Sequence, residues 1–100
     1  MALVKIAGVN DVGEGSAKVV QASGKTIALF KTNGKFYAID NTCLHRGGPL
    51  GEGDLDGTTV TCPLHGWQYD ITSGENVMPG SGKVNAYKVE VQGNDVMVDV

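Results

Sequence analysis

Four residues in this chain have the types and the spacing to bind a metal. They are Cys43 and His45 in Cys43-Leu44-His45 and, after sixteen intervening residues, Cys62 and His65 in Cys62-Pro63-Leu64-His65. In extended backbone, residues i and i+2 project to one side, so Cys43 and His45 can face a common object. A turn does the same for Cys62 and His65. Each segment offers one thiolate and one imidazole, and together they make an N2S2 donor set. Gly47, Gly48 and Gly66 lie beside the donors, where backbone amides can approach an anionic sulfur with no side chain between. Nucleophilic catalysis by Cys with His is the weaker reading, because no oxyanion-hole or substrate-pocket signature accompanies the pairs. Glycine loops of the phosphate-binding kind are also missing.

The elements that must position these donors read as strands. Segments 3–7, 17–21, 26–31 and 35–40 precede the first cysteine, and 86–91 and 95–99 follow the second. Asn33-Gly34 between two of them signals a tight hairpin, since a type I′ turn needs positive φ at both central residues. Ser23-Gly24 marks the turn before it, and Gly93-Asn94 joins the last two strands. Residues 10–15 read as one short helical turn, and no longer amphipathic helix is visible. The middle differs in kind: residues 41–82 hold all three prolines, more than half of the fifteen glycines, both cysteines and both histidines. That stretch carries Glu52, Asp54, Asp56, Asp70 and Glu75 against Arg46 alone, or −4; seven lysines against six acids elsewhere give +1, and the two sum to −3. A loop-rich acidic insert is thus expected within a plain β scaffold, where loops on a rigid frame can place side chains freely.

Composition bounds the rest. A chain of 100 residues suits one domain with one core. Thirteen valines, four isoleucines and seven threonines against six leucines favour strands over helices. A net charge of −3 argues against a nucleic-acid partner. The N-terminal residues do not read as a signal peptide, and no apolar run approaches the ~20 residues of a membrane span. The expectation is a cytoplasmic protein in a reducing compartment, with both thiols available for metal.

The pattern Cys-x-His, sixteen residues, Cys-x-x-His resembles the Rieske [2Fe–2S] fingerprint. Cys43-Leu44-His45-Arg46-Gly47-Gly48-Pro49-Leu50 looks like the first cluster loop, and Cys62-Pro63-Leu64-His65-Gly66-Trp67-Gln68-Tyr69-Asp70 like the second. Pro79 and Gly80 fall where the family has a third, proline-containing loop. The resemblance spans nearly the whole chain. It implies an all-β antiparallel barrel or sandwich: a base of 1–40 and 83–100 carrying a cluster-binding subdomain at 41–82. It also implies one [2Fe–2S] cluster, with Cys43 and Cys62 on the inner iron and His45 and His65 on the outer, exposed iron.

Charge then orders the chemistry. Two ferric irons and two sulfides carry a net +2, which two thiolates reduce to zero; four thiolates would leave −2. An electron enters a neutral centre more easily, so histidine ligation raises the potential, to roughly −150 to +300 mV across Rieske centres. High-potential members brace the cluster with a disulfide, but those positions here read Gly48 and Leu64. They also place a serine hydrogen-bonded to cluster sulfur where this chain has Trp67. Tyr69 matches the tyrosine that bonds a cysteine sulfur in those members, and reads equally as a core strand residue. The expected balance is a low-potential carrier.

Around the ligands, Trp67 reads mainly as packing over the site, and Met78 and Pro79 as shielding. Arg46 reads as an exposed side chain, with tuning or docking as the alternative. Glu52, Asp54 and Asp56 read as a solvated loop, with docking as the alternative, and Asp40 and Asp70 as turn residues. The function implied is that of a monomeric Rieske-type ferredoxin, not itself an enzyme. It would shuttle single electrons from an NAD(P)H-dependent flavin reductase to a terminal oxygenase such as an aromatic-ring dioxygenase, through transient docking. Two alternatives stand beside it: the small Rieske-like subunit of a nitrite reductase, and a zinc-stabilised binding module. Cys2His2 suits zinc, but zinc fingers group a cysteine pair and then a histidine pair, whereas each loop here mixes one of each.

Overall fold

Asn33 and Gly34 take φ of 53° and 74°, and Ser23 and Gly24 take 51° and 76°, as type I′ turns demand. The computed structural model in which these are seen describes residues 3–43, 48–64, 66–77 and 82–100. The two turns join β2 (Ala17–Ala22), β3 (Lys25–Thr32) and β4 (Lys35–Asp40) into an antiparallel meander, with Ile27 opposite Asp40 and Thr32 opposite Lys35. Glu14 reaches across to the second turn, where its carboxylate accepts the N–H groups of Asn33 at 2.6 Å and Gly34 at 3.0 Å. Those two bonds, Gly34 first, hold its carboxyl below the ordinary glutamate value.

β3 explains the layering. Ile27 and Leu29 point to one side, into a core with Ala7, Val12, Ala22, Ala38, Val96 and Val98. Ala28 and Phe30 point to the other, into a core with Ile39, Cys43, Leu50, Val60, Cys62, Tyr69, Ile71 and Val84. The unbroken apolar run of β3 thus reflects a strand buried on both faces. Its sheet, in the order β2-β3-β4-β8 with β8 (Ala86–Tyr87), lies between the two cores, where chain length alone suggested one: a central sheet buried on both faces splits the apolar interior in two. The first core is closed by β1 (Leu3–Gly8), β10 (Asp95–Asp99) and β9 (Val89–Gln92), in the order β1-β10-β9.

Three local expectations change. Segment 86–91 is two strands: Ala86–Tyr87 pairs with β4, and Val89–Gln92 pairs with β10, so the chain changes sheets at Lys88. The alternation of side chains continues through that corner, which hides it from a pattern reading. Residues 10–15 contain no helical turn. Asp11 instead closes a turn on Gly8, its N–H donating to the Gly8 carbonyl at 3.0 Å and its carboxylate accepting the Gly8 N–H at 2.8 Å. The middle of the chain is also less irregular than expected. After a 3-10 turn at Leu50–Glu52, a third antiparallel sheet runs in the order β5-β6-β7: β5 (Asp54–Asp56), β6 (Thr59–Thr61) and β7 (Gln68–Asp70). Each strand is three residues of polar, apolar, polar, and sends Leu55, Val60 or Tyr69 into the second core. No helix among the described residues is long and apolar enough to cross a membrane.

The seam between β4 and β8 carries a prediction. The Tyr87 hydroxyl donates to Asp40, and the phenol is pushed up to about 12, first by burial and then by that carboxylate. A raised folded-state value means the unfolded chain releases this proton first. The contribution to stability is therefore whole below about pH 10 and is lost as pH rises through about 12. Denaturant midpoints measured across this interval should fall more steeply for the native chain than for Tyr87→Phe. Equal slopes would contradict the assignment.

Candidate metal centre

The first ligand loop grows out of the end of β4. Asn41, buried at 8% exposure, donates its N–H to the Thr26 carbonyl at 3.0 Å. Its carbonyl accepts the Leu50 N–H at 2.7 Å and its Oδ1 accepts the Gly51 N–H at 2.7 Å. One residue thus ties the departing and returning strands of the loop. Thr42 bridges Pro49, and the Cys43 N–H donates to the Gly48 carbonyl at 2.9 Å. The second loop repeats the plan beyond β6: the Cys62 N–H donates to the Trp67 carbonyl at 2.7 Å and the Gly66 N–H to the Cys62 carbonyl at 3.2 Å. Each cysteine sits at the first base position of its own hairpin. A third turn starts from β7, where Asn76 bridges Tyr69 and its N–H donates to the Gly82 carbonyl at 3.0 Å.

Both thiols turn inward. Cys43 and Cys62 are each 2% exposed, share one apolar core, and neither is in a disulfide. The hydroxyl of Tyr69, itself wholly buried, stands 3.4 Å from the Cys43 sulfur. Gly48 brings the loops together: a Cβ there would lie 2.7 Å from the Cys62 sulfur and 3.0 Å from Leu64 Cγ. Positions 48 and 64 are therefore neighbours, and any side chain at 48 would press on a sulfur. Two soft, polarizable sulfur donors in a dry apolar setting, with a hydroxyl aimed at one and bare backbone against the other, fit a thiolate-bound metal group.

Among the residues singled out from the sequence, Cys43, Gly48, Cys62, Gly66, Trp67 and Tyr69 are described. Of these, Trp67 is partly buried and packs on the same core. His45, Arg46, His65 and Pro79, with the shielding Met78, lie outside the described residues. Among the described residues no three His, Cys, Asp or Glu side chains converge, as expected when both histidines fall outside. Glu52, Asp54 and Asp56 are exposed. Asn41 was missed; the one available signal is an asparagine placed directly after a strand and before a ligand loop. Asp40 is more than a turn residue, since its carboxylate accepts the Asn85 N–H at 3.0 Å and the Tyr87 hydroxyl.

The fold and the paired thiols define a class: a small all-β domain that presents two cysteine hairpins to one cofactor. The Rieske [2Fe–2S] domain family matches residues 2–88. The ferredoxin component of a naphthalene 1,2-dioxygenase system from Pseudomonas aeruginosa is 33% identical over 91 residues, covering 90% of this chain and 88% of that protein. A 3-phenylpropionate/cinnamic acid dioxygenase ferredoxin subunit from Shigella flexneri is 38% identical over 94 residues, covering 92% and 88%. Among solved structures, the complex of reduced oxygenase and oxidized ferredoxin in carbazole 1,9a-dioxygenase holds a chain similar to this one. The TM-score is 0.87 at 28% identity, covering 96% of this chain and 91% of that one. This chain belongs to the Rieske [2Fe–2S] family. Its cofactor is one [2Fe–2S] cluster, not a zinc ion, and its work is to carry electrons one at a time.

Proposed function

We propose that this chain is the ferredoxin component of a multicomponent dioxygenase system, with no catalytic activity of its own. It accepts electrons from a flavin-dependent, NAD(P)H-oxidising reductase and delivers them to a terminal oxygenase, as a cytoplasmic monomer that docks transiently. Cys43 and Cys62 hold the inner iron, His45 and His65 the outer iron, within a subdomain of 41–82 on a base of 1–40 and 83–100. The observation that carries this reading is the pair of buried thiols delivered from two hairpins into one apolar core. When bound, the cluster would supply a one-electron couple.

The protein's own part is to exclude water and to set charge around the sulfurs. Phe30, Ile39, Leu50 and Val60, wholly buried, pack in the core that holds the thiols. The Tyr69 hydroxyl lies 3.4 Å from the Cys43 sulfur; against a metal-bound thiolate, which has no S–H, it would be the donor and would favour the more negative, reduced state. Gly48 leaves room at the Cys62 sulfur. Leu64 and Val77, 55% and 51% exposed, are apolar residues open to solvent. The relatives support the partners, since they are ferredoxin components of dioxygenase systems and one similar structure is a ferredoxin–oxygenase complex.

Purified chain should contain iron and acid-labile sulfide in the ratio of the cluster. It should also restore product formation when added to a purified flavin reductase, NADH and a terminal dioxygenase with its aromatic substrate. Product formed without the chain, or turnover by the chain and NADH alone, would overturn the proposal. Tyr69→Phe removes the hydroxyl at Cys43 and should move the midpoint potential in the negative direction while costing about 1 kcal/mol of stability. Protein-film voltammetry reads the first effect, and an unchanged or more positive potential contradicts it.

A further inference from the structure

Asn33 is the one asparagine in the chain that is followed by glycine, and both residues are exposed at the tip of the β3–β4 hairpin. That dipeptide has a chemistry of its own. The glycine backbone nitrogen, once it has lost its proton, can attack the side-chain amide carbon of the asparagine, with no side chain on the glycine to hinder it. A C–N bond forms, the C–NH2 bond breaks, and the lost proton ends on the ammonia that leaves. Water then opens the cyclic imide on one side or the other, giving aspartate or an isoaspartate whose main chain is one methylene longer. In this structure the nitrogen that must lose its proton is engaged. Glu14 Oε1 accepts the Gly34 N–H at 3.0 Å, and Glu14 Oε2 accepts the Asn33 N–H at 2.6 Å. The backbone around Glu14 is itself anchored to the strand before the turn: the Gly15 N–H donates to the Lys31 carbonyl at 2.7 Å, and the Lys31 N–H to the Ser16 carbonyl at 3.1 Å.

We propose that Asn33 is a site of slow, non-enzymatic deamidation, and that Glu14 guards it by holding the Gly34 N–H. A carboxylate beside that nitrogen disfavours the amide anion the attack requires, because like charges oppose each other. The paired bonds also resist the rotation needed to bring the nitrogen onto the side-chain amide carbon. Glu14 does not act as the base: its bonds to Gly34 and then Asn33 hold its carboxyl below the ordinary glutamate value, which makes it still less able to strip an amide proton. Conversion would place a second carboxylate, or a lengthened main chain, in a turn that Glu14 already occupies with negative charge. The inference concerns the base of the domain and does not depend on the cluster.

The test incubates the full native chain, Glu14→Gln and Glu14→Ala at mildly alkaline pH. Peptide mass spectrometry follows conversion at Asn33, and isoaspartate is confirmed by enzymatic methylation. Glu14→Ala should convert at Asn33 about fivefold faster than the native chain, the factor that goes with one modest hydrogen bond. Glu14→Gln should fall between, since its amide oxygen accepts one N–H but carries no charge. Asn94, exposed in the turn between β9 and β10, is the internal reference: its rate should be the same in all three, which separates release of one turn from opening of the whole fold. Should Glu14→Ala fail to fold, the comparison of Glu14→Gln with the native chain decides. Equal rates at Asn33, slower conversion in the Glu14 variants, an equal acceleration at Asn94, or no conversion in any of them overturns the proposal.

Discussion

Cys62→Ala, produced with ample iron and sulfide, is expected to yield protein with neither in stoichiometric amount. Cys62 is one of only two cysteines in the chain, it is 2% exposed, and the apolar residues around it offer no replacement donor. Alanine leaves a small void at the sulfur position, and in the proposed assignment the inner iron would lose one of its two protein thiolates. Elemental analysis with the visible spectrum checks this. The native chain should hold the full cluster, as should Leu64→Ala, which changes an exposed side chain beside the same loop. A Cys62→Ala variant that retained both irons would refute the ligand assignment.

Gly74→Ala should be strongly destabilising, because it combines a left-handed backbone with a close backbone contact. Gly74 has φ of +81°, and a Cβ there would lie 2.2 Å from the Val84 carbonyl oxygen. That contact is backbone against backbone, so no side chain can swing aside, and the Val84 N–H already donates to the Gly74 carbonyl at 2.9 Å. The left-handed conformation alone costs an alanine about 1–2 kcal/mol, and overpacking adds about 1–3 kcal/mol. The expected loss is thus roughly 2–5 kcal/mol by chemical denaturation. Gly57→Ala is the control: φ is +61°, nothing lies within 4 Å, and only the conformational part applies. Equal losses in the two variants would show that the Val84 contact has little consequence.

Legibility in the sequence followed physical locality. The turns at Ser23-Gly24 and Asn33-Gly34 were readable because positive φ leaves a mark on residue type. That Cys43 and Cys62 come together was readable because a Cys-x-His and a Cys-x-x-His segment are distinctive in residue type and spacing; the two histidines lie outside the described residues. β5, β6 and β7 were not readable, since a three-residue strand shows one alternation and its pairing with neighbours is non-local. The sheet change at Lys88 was hidden because side chains keep alternating while the hydrogen-bonding partner changes. Asn41 and Asp40 take their meaning from Leu50, Gly51, Asn85 and Tyr87, which lie far along the chain and become neighbours only on folding.

The central claim is mixed ligation, sulfur on the buried iron and imidazole nitrogen on the outer one. Pulsed EPR of the dithionite-reduced protein tests it most directly, because nitrogen nuclei bound to a paramagnetic iron couple strongly to the unpaired spin. Two strongly coupled nitrogens are expected, both abolished when His45 and His65 are replaced by cysteine. A reduced spectrum with no strongly coupled nitrogen, or no paramagnetic centre at all, would contradict the account.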